Sequence, residues 1–170
     1  EPEARLKRGL TSAGAGEIMA PGDQPNVNVI LAPDVYVNAS VSVGTPPEQV
    51  VQRVLGGVAK HGKTKTSAWV LARVEAMLHA VPAFKPEAVA IQMTTIGSLV
   101  EQVKIAEHDA GDWAKALAAT AKAAGAKRVI TDHPDLADQA DVDGVEFMST
   151  DAWLVEQTTP PPPPPPPKGK

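Results

Sequence analysis

The sequence predicts an α/β protein: a three-layer sandwich with a central, mostly parallel sheet. Short runs of β-branched apolar residues alternate along the chain with helical segments that begin at capping residues. Strands that are separated by helices are typical of a parallel sheet, because a parallel pair needs a long crossover connection. The 170 residues, of which 43% are hydrophobic, suffice for one domain with its own core.

The composition divides the chain into three parts. Residues 1–26 mix charged residues with Gly and Pro and show no sustained hydrophobic period, so we expect a flexible leader. Residues 27–157 contain all of the periodic segments and form the predicted domain. Residues 158–170 are a separate tail, because its eight consecutive prolines neither continue a helix nor donate hydrogen bonds to a sheet.

The first predicted elements are a strand over Val27–Leu31 and two helices. The strand is apolar and rich in β-branched residues, which predicts a buried position at the centre of the sheet. Thr45-Pro46-Pro47-Glu48 supplies an N-cap, prolines for the first turn and a carboxylate, and so predicts a helix over about 46–60. Thr66 or Ser67 is predicted to cap the second helix, which has an apolar stripe.

The later elements follow from caps, glycine stops and further β-branched runs. They are a third helix from Pro86 through Val100, a fourth from Asp112 to a stop at Gly125, a strand over Arg128–Thr131, a helical turn over Pro134–Leu136, a strand over Val145–Met148, and a last helix capped by Ser149-Thr150-Asp151.

The carboxyl ends of parallel strands meet at one edge of a sheet, where the ligands of such folds bind. In this chain those ends are Ala32-Pro33-Asp34, Thr131-Asp132-His133 and Ser149-Thr150-Asp151. The sequence therefore predicts that any active site lies among these three segments.

Composition narrows the function further. No apolar run approaches the roughly 18 residues of a membrane-spanning helix, so we expect no membrane interaction. The absence of cysteine excludes disulfides, thiolate metal sites and a cysteine nucleophile, and favours a cytoplasmic location. Sixteen Lys and Arg against twenty Asp and Glu argue against general electrostatic binding to nucleic acid but leave room for a local basic patch.

Two stretches late in the chain resemble a known family. Residues 124–136 read Ala-Gly-Ala, strand, Thr-acid-x-Pro-Asp-Leu, and residues 144–149 add a second strand before the last helix. With the acidic turn after the first strand, this order over residues 27–157 resembles the PIN domain. PIN domains, including the toxins of many bacterial toxin–antitoxin pairs, are Mg²⁺- or Mn²⁺-dependent ribonucleases that commonly form homodimers. The resemblance implies that fold, that chemistry, an RNA substrate and a homodimer.

The resemblance also implies a site of three or four converging carboxylates, because hard divalent cations take oxygen ligands. Transferred position by position, the first ligand falls on Ala32, and Asp34 stands two residues later. The second ligand falls on Arg73, and Glu75 lies two residues, about 200°, further round the helix. At both places the resemblance implies that an acidic ligand has been replaced.

The remaining ligands lie near the fourth helix and the strand that follows it. Asp109 or Asp112 fills the third position, and the fourth falls on His133, which is flanked by Asp132. The site is then degenerate. Shifts of one or two residues restore four carboxylates, and these are the catalytic candidates of the alternative, active site: Asp34, Glu75, Asp112 and Asp132, of which Asp34, Asp112 and Asp132 are the candidate Mg²⁺ or Mn²⁺ ligands.

Each candidate also has a structural interpretation. Asp34 follows a proline, as turn residues commonly do. His133 precedes a proline and has no other histidine at ligand spacing, which favours a turn side chain over a metal ligand. Asp109 and Asp112 suit the N-terminus of the fourth helix through its dipole.

The tail is predicted to be a polyproline II rod of about 25 Å, at roughly 3.1 Å per residue. Such a rod docks on aromatic-lined grooves of SH3, WW or GYF modules, with the lysines setting its direction. A plain spacer is the alternative. The predicted partner-binding residues are Pro160, Pro161, Pro162, Pro163, Pro164, Pro165, Pro166, Pro167 and Lys168.

Two functions follow from these observations. The first is a protein-binding or scaffold module with a degenerate metal site and a partner-recognition tail, which needs no cofactor. The second is a Mg²⁺- or Mn²⁺-dependent endoribonuclease of the toxin–antitoxin type. A small basic loop, formed by Lys60, His61, Lys63 and Lys65, is the candidate contact to RNA phosphates.

Overall fold

The computed structural model describes residues 28–56, 63–137 and 141–158. The predicted leader and all the prolines of the tail lie outside these residues, as do residues 57–60 of the predicted first helix. In chain order the elements are β1 (Val29–Leu31), α1 (Pro33–Val41), α2 (Pro46–Gly56), β2 (Thr64–Ser67), α3 (Ala68–His79), α4 (Pro86–Leu99), β3 (Val100–Val103), α5 (Trp113–Ala124), β4 (Arg128–Ile130), α6 (Pro134–Ala137), β5 (Glu146–Met148) and α7 (Thr150–Thr158).

All the strands pair in parallel, in one group of three and one group of two. The first sheet has the order β1-β4-β5, and its registers place Ile30 opposite Val129 and Val129 opposite Phe147. The second sheet pairs β2 with β3, and β2 also packs beside β1. The prediction of an α/β protein with a mostly parallel sheet is confirmed.

The prediction that the first strand is central does not hold within the three-stranded sheet, whose middle strand is β4. All three residues of β1 are apolar and buried. An apolar run of this kind in the sequence predicts a central strand. β1 is buried because β2 packs beside it, although β1 and β2 form no hydrogen-bonded ladder.

Three elements differ from the prediction. The acidic turn after β1 is helix α1, and its first five residues are all buried. Thr64–Ser67 is a strand although its residues are polar, because three of its four side chains are buried against neighbouring elements. The predicted third helix ends at Leu99, and the next four residues form β3.

Three helix ends agree with the capping signals in the sequence, whereas the Thr45 hydroxyl donates to the backbone oxygen of Ser42 and Asp112 makes no side-chain capping bond to α5. The Ser67 hydroxyl accepts a hydrogen bond from the backbone N–H of Val70 and caps α3. Gly125 ends α5 with a φ of 70°, in the left-handed region that favours glycine. The Ser149 hydroxyl accepts from the N–H of Ala152 at the start of α7.

The core is continuous beneath these helices. Its largest fully buried side chains are Trp153, Tyr36, Ile30, Leu31, Leu78, Leu117 and Ile130. No helix within the described ranges combines the length and the hydropathy needed to cross a membrane.

Candidate functional site

The carboxyl ends of β1, β4 and β5 meet at one edge of the three-stranded sheet, as the sequence predicted for its strand-end segments. Asp34 stands in the first turn of α1, immediately after β1. A carboxylate in a first helical turn is favoured by the helix dipole, and Pro33 at the start of α1 supplies a φ suited to a helix. The local sequence therefore places Asp34 at the start of α1, and the pairing of β1 with β4 brings it beside the end of β4.

Both carboxylate oxygens of Asp34 accept hydrogen bonds from the segment that follows β4. The hydroxyl of Thr131 donates to Oδ1 over 2.8 Å, and the backbone N–H of Asp132 donates to Oδ2 over 2.8 Å. Asp34 and Thr131 are 8% and 0% exposed, so these bonds lie inside the protein. They tie the start of α1 to the end of β4.

Asp132 extends the connection to the third segment. Its Oδ1 accepts from the backbone N–H of Thr150 over 2.9 Å, and its Oδ2 accepts from the Thr150 hydroxyl over 2.6 Å. Thr150 is the first residue of α7, so Asp132 satisfies a backbone donor that the helix itself leaves unpaired. We call Asp34, Thr131, Asp132 and Thr150 the strand-end network.

Burial shapes the electrostatics of this network. Desolvation raises the pKa of the Asp34 carboxyl above its ordinary value of 3.8, and the negative charge of Asp132 adds to that rise. The hydrogen bonds from Asp132 N–H and from Thr131 favour the ionised form and lower the pKa in part. Burial is the largest of these causes.

His133 serves the turn after β4. Its backbone N–H donates to the Thr131 hydroxyl over 3.1 Å, and its Nδ1 accepts from the backbone N–H of Asp135 over 3.2 Å. The imidazole also stacks on Trp113, with ring centroids 5.2 Å apart and an interplanar angle of 51°. These contacts support the structural interpretation of His133.

Asp112 and Glu75 make their contacts within their own segments. Asp112 precedes α5, and its Oδ2 lies 3.9 Å from Nδ1 of His108. Glu75 is exposed on α3, where its Oε1 lies 3.9 Å from Nε2 of His79, one turn further on. The hydrogen bonds thus unite Asp34 and Asp132 but bring in neither Asp112 nor Glu75.

The hydrogen bonds at this edge bring together two carboxylates, those of Asp34 and Asp132. Within residues 28–56, 63–137 and 141–158, no group of three or more His, Asp or Glu side chains is arranged to hold a metal ion. Asp34 and Asp132 are bound to Thr131 and Thr150 instead.

The remaining sequence candidates lie partly outside the described residues. Lys60 and His61 of the basic loop and the predicted partner-binding residues 160–168 fall there. Lys65, on β2, forms a salt bridge with Glu101 of β3, so this lysine of the loop is engaged within the sheet. Arg73 is half-buried on α3.

A separate cleft of about 180 Å³ lies between α1, α2 and α4. No member of the strand-end network lines it. Its walls comprise Tyr36, Ala39, Ser40, Glu48, Val51, Gln52, Gln92 and Ile96.

Thr131 and Thr150 complete the strand-end network, whereas sequence reasoning gave Thr150 only a place in a helix cap and gave Thr131 no role. The signal was present, because both lie in the strand-end segments named from the sequence. Which hydroxyl meets which carboxylate depends on the strand order, which no local pattern contains.

The chain matches no protein-family model, and neither the curated proteins nor the solved structures include a significant match to it.

Proposed function

We propose that this chain is a PIN-like binding module in which hydrogen bonds take over the structural task of a metal ion. The strand-end network is the observation that carries the proposal. In a carboxylate metal site, the cation draws together acidic groups that would otherwise repel each other. Here Thr131, Thr150 and two backbone N–H groups do so.

The three-layer sandwich belongs to the same proposal. The strands β4 and β5 continue a parallel arrangement from β1, and β2 with β3 packs beside β1. Helices connect successive strands, as in crossover folds. These observations support a central sheet covered on both faces.

Arg73 supports the loss of the metal site. In the proposed register it replaces an acidic ligand, and a cation at that position opposes the binding of a divalent cation. Glu75, the acidic residue two positions later, is exposed and lies beside His79.

Binding is assigned to the proline-rich residues 160–168. A polyproline II rod loses little conformational entropy when it docks, which suits SH3, WW or GYF readers. The domain then acts as the scaffold that presents the rod.

One observation favours the alternative of a metal-dependent endoribonuclease. Asp34 and Asp132 are neighbours at the sheet edge, and a carboxylate keeps further lone pairs after accepting one hydrogen bond at each oxygen. A rotation of Asp112 away from His108 is then needed to complete a site.

Two measurements on the full chain decide between these functions. Calorimetric titration with Mn²⁺ is expected to show no saturable heat, and a fluorescent RNA incubated with Mg²⁺ or Mn²⁺ is expected to remain intact. Metal-dependent cleavage that Asp112→Ala abolishes, while the matched surface variant Asp151→Ala keeps it, would establish the nuclease instead.

The binding assignment has its own test. A panel of purified SH3, WW and GYF domains is titrated with the full chain and with a variant in which Gly and Ser replace residues 160–167. Saturable binding of at least one domain to the full chain alone supports the assignment. Equal binding of both chains by every domain, or binding of neither, contradicts it.

A further inference from the structure

Two tryptophans and a histidine form one aromatic surface beside the sheet edge. The rings of Trp69 and Trp113 meet edge to face, with centroids 5.9 Å apart and an interplanar angle of 89°. The imidazole of His133 packs at a tilt against Trp113, with ring centroids 5.2 Å apart. All three side chains are only partly buried, so each presents ring surface to solvent. We call these three residues the aromatic surface.

Acidic residues lie next to the aromatic surface. The indole Nε1 of Trp69 donates to the backbone oxygen of Asp109 over 3.0 Å, which fixes the exposed Asp109 beside that ring. Asp112 directly precedes Trp113 in the chain. Arg73 stands one turn along α3 from Trp69, and His108 lies beside Asp112. The two aspartates and the neighbouring Asp135 outnumber the permanent positive charge of Arg73.

This combination of exposed indole rings and carboxylates selects a particular kind of ligand. Proline rings pack on the faces of aromatic side chains, and polyproline grooves are lined by such side chains. Carboxylates attract a cationic end and repel the phosphates of a nucleic acid. The ligand with the complementary chemistry is a proline-rich segment that carries lysines.

The chain contains such a segment in residues 160–170, where eight prolines precede Lys168-Gly169-Lys170. It begins two residues after Thr158, the last residue of α7. Near that end of α7, Glu156 forms a salt bridge with Arg128 at the start of β4. His133 follows Arg128 by five residues, so the two lie at most about 17 Å apart. A proline rod of about 25 Å spans this distance.

We propose that the aromatic surface is an intramolecular docking site for the proline-rich residues 160–170 of the same chain. The prolines pack on Trp69 and Trp113, and Lys168 and Lys170 face Asp109 and Asp112. A short tether supplies an effective concentration in the millimolar range, so that weak contacts suffice for docking. An external reader must then compete with this surface for the segment. The proposal stands independently of the metal site.

The absence of cysteine allows a site-specific test on the full chain. A nitroxide label is attached to Gly169→Cys, and the indole N–H signals of the three tryptophans are recorded by nuclear magnetic resonance. Trp69→Phe and Trp113→Phe assign two of the signals. Docking is expected to broaden Trp69 and Trp113 strongly and the fully buried Trp153 far less.

Three matched variants complete the experiment. Replacement of residues 160–167 by Gly and Ser, with both lysines kept, is expected to abolish the selective broadening. Asp109→Asn with Asp112→Asn is expected to lower the ratio of docked to free segment about fivefold, because two exposed ion pairs are lost. Asp151→Asn with Glu87→Gln, which alters two exposed carboxylates elsewhere, is expected to leave the ratio unchanged.

Several results would overturn the proposal. Equal broadening of all three indoles means that the segment does not dock, as does broadening that survives the Gly and Ser replacement. Broadening that needs a mixture of labelled and unlabelled chains assigns the surface to a second copy. Displacement of the label by an oligouridine at lower concentration than by a free Pro₈-Lys-Gly-Lys peptide assigns it to a nucleic acid.

Discussion

At the scale of single residues, Asp34 is a buried carboxylate whose partners are a hydroxyl and a backbone N–H. Such hydrogen bonds compensate only part of the cost of removing the charge from water, which is why burial dominates the pKa of this group. Asp132 accepts a hydrogen bond from the backbone N–H of Thr150 and so caps the N-terminus of α7. Two aspartates of one network thus play different parts, and each can be tested separately.

The raised pKa of Asp34 predicts a specific dependence of stability on pH. The folded protein retains the proton at a pH where the unfolded chain has lost it. The free energy of unfolding therefore falls as pH rises from about 3.8 to the raised value, at most by about 1.4 kcal/mol per pH unit. Asp34→Asn removes this slope. Urea denaturation of both chains from about pH 4 to pH 7 measures the difference, and Asp151→Asn controls for the charge removed.

A difference between wild type and Asp34→Asn that is constant over this range would show that burial does not set the pKa of Asp34. A difference that grows in favour of wild type as pH rises would show that the hydrogen bonds outweigh burial.

Thr131 provides a matched pair of variants. Its hydroxyl donates to Asp34 and accepts from the N–H of His133, so Thr131→Val leaves the buried carboxylate of Asp34 and the part-buried N–H of His133 each short of a partner. We expect a loss of about 1–3 kcal/mol in the free energy of unfolding. Thr131→Ser keeps the hydroxyl and loses one methyl group, at a cost of about 1 kcal/mol. Chemical denaturation checks the order, and a larger loss in the serine variant would mean that packing, not hydrogen bonding, holds this residue.

At the scale of elements, the capping residues and the β-branched runs of the sequence predicted most of the described helices and strands. Ser67, Gly125 and Ser149 stand at helix ends, and β1, β4 and β5 lie at the predicted places. The missed elements depend on tertiary contacts. The two threonines of Thr-Lys-Thr-Ser favour a strand, but the segment is short and polar, and its pairing with β3 is a tertiary contact. Leu99 and Val100 continue the apolar spacing of α4 across its end.

Two glycines in different conformations give a prediction for the helices. Gly125 ends α5 at φ 70°, so a side chain there is strained, and Gly125→Ala is expected to cost about 1 kcal/mol. Gly97 lies exposed within α4, where a Cβ meets no atom within 4 Å. Gly97→Ala is expected to stabilise the protein by about 0.5–1 kcal/mol. Thermal and urea unfolding of the two variants measure both, and effects of equal sign would contradict the assigned helix ends.

At the scale of the whole molecule, polar contacts hold α7 at both ends of the three-stranded sheet. Thr150 is bound by Asp132 where the strands end, and Glu156 pairs with Arg128 where β4 begins. The sequence predicted the segments that contain Asp132 and Thr150, because the carboxyl ends of parallel strands converge, but it gave no role to Arg128 or Glu156. Their pairing could not be predicted, since it depends on β4 lying between β1 and β5.

The proposed register predicts that a metal site can be restored and linked to global stability. Ala32 is fully buried beside the strand-end network. Ala32→Asp with Arg73→Glu adds two carboxylates to Asp34 and Asp132, so without metal we expect a loss of roughly 3 kcal/mol or more. Mn²⁺ that binds only the folded form should recover stability, by about 2.7 kcal/mol at a hundred times its dissociation constant. Thermal unfolding at increasing Mn²⁺ concentration measures the recovery.

The matched control is Ala32→Asn with Arg73→Gln, which places side chains of similar shape without the charges. It is expected to lose stability and to gain none of it back with Mn²⁺, because neutral amides are weak ligands for a hard cation. The wild-type melting temperature is expected not to respond to Mn²⁺. Equal recovery in the acidic and the amide variants, or none in either, would show that Ala32 and Arg73 do not occupy ligand positions. That result would contradict the PIN-like register.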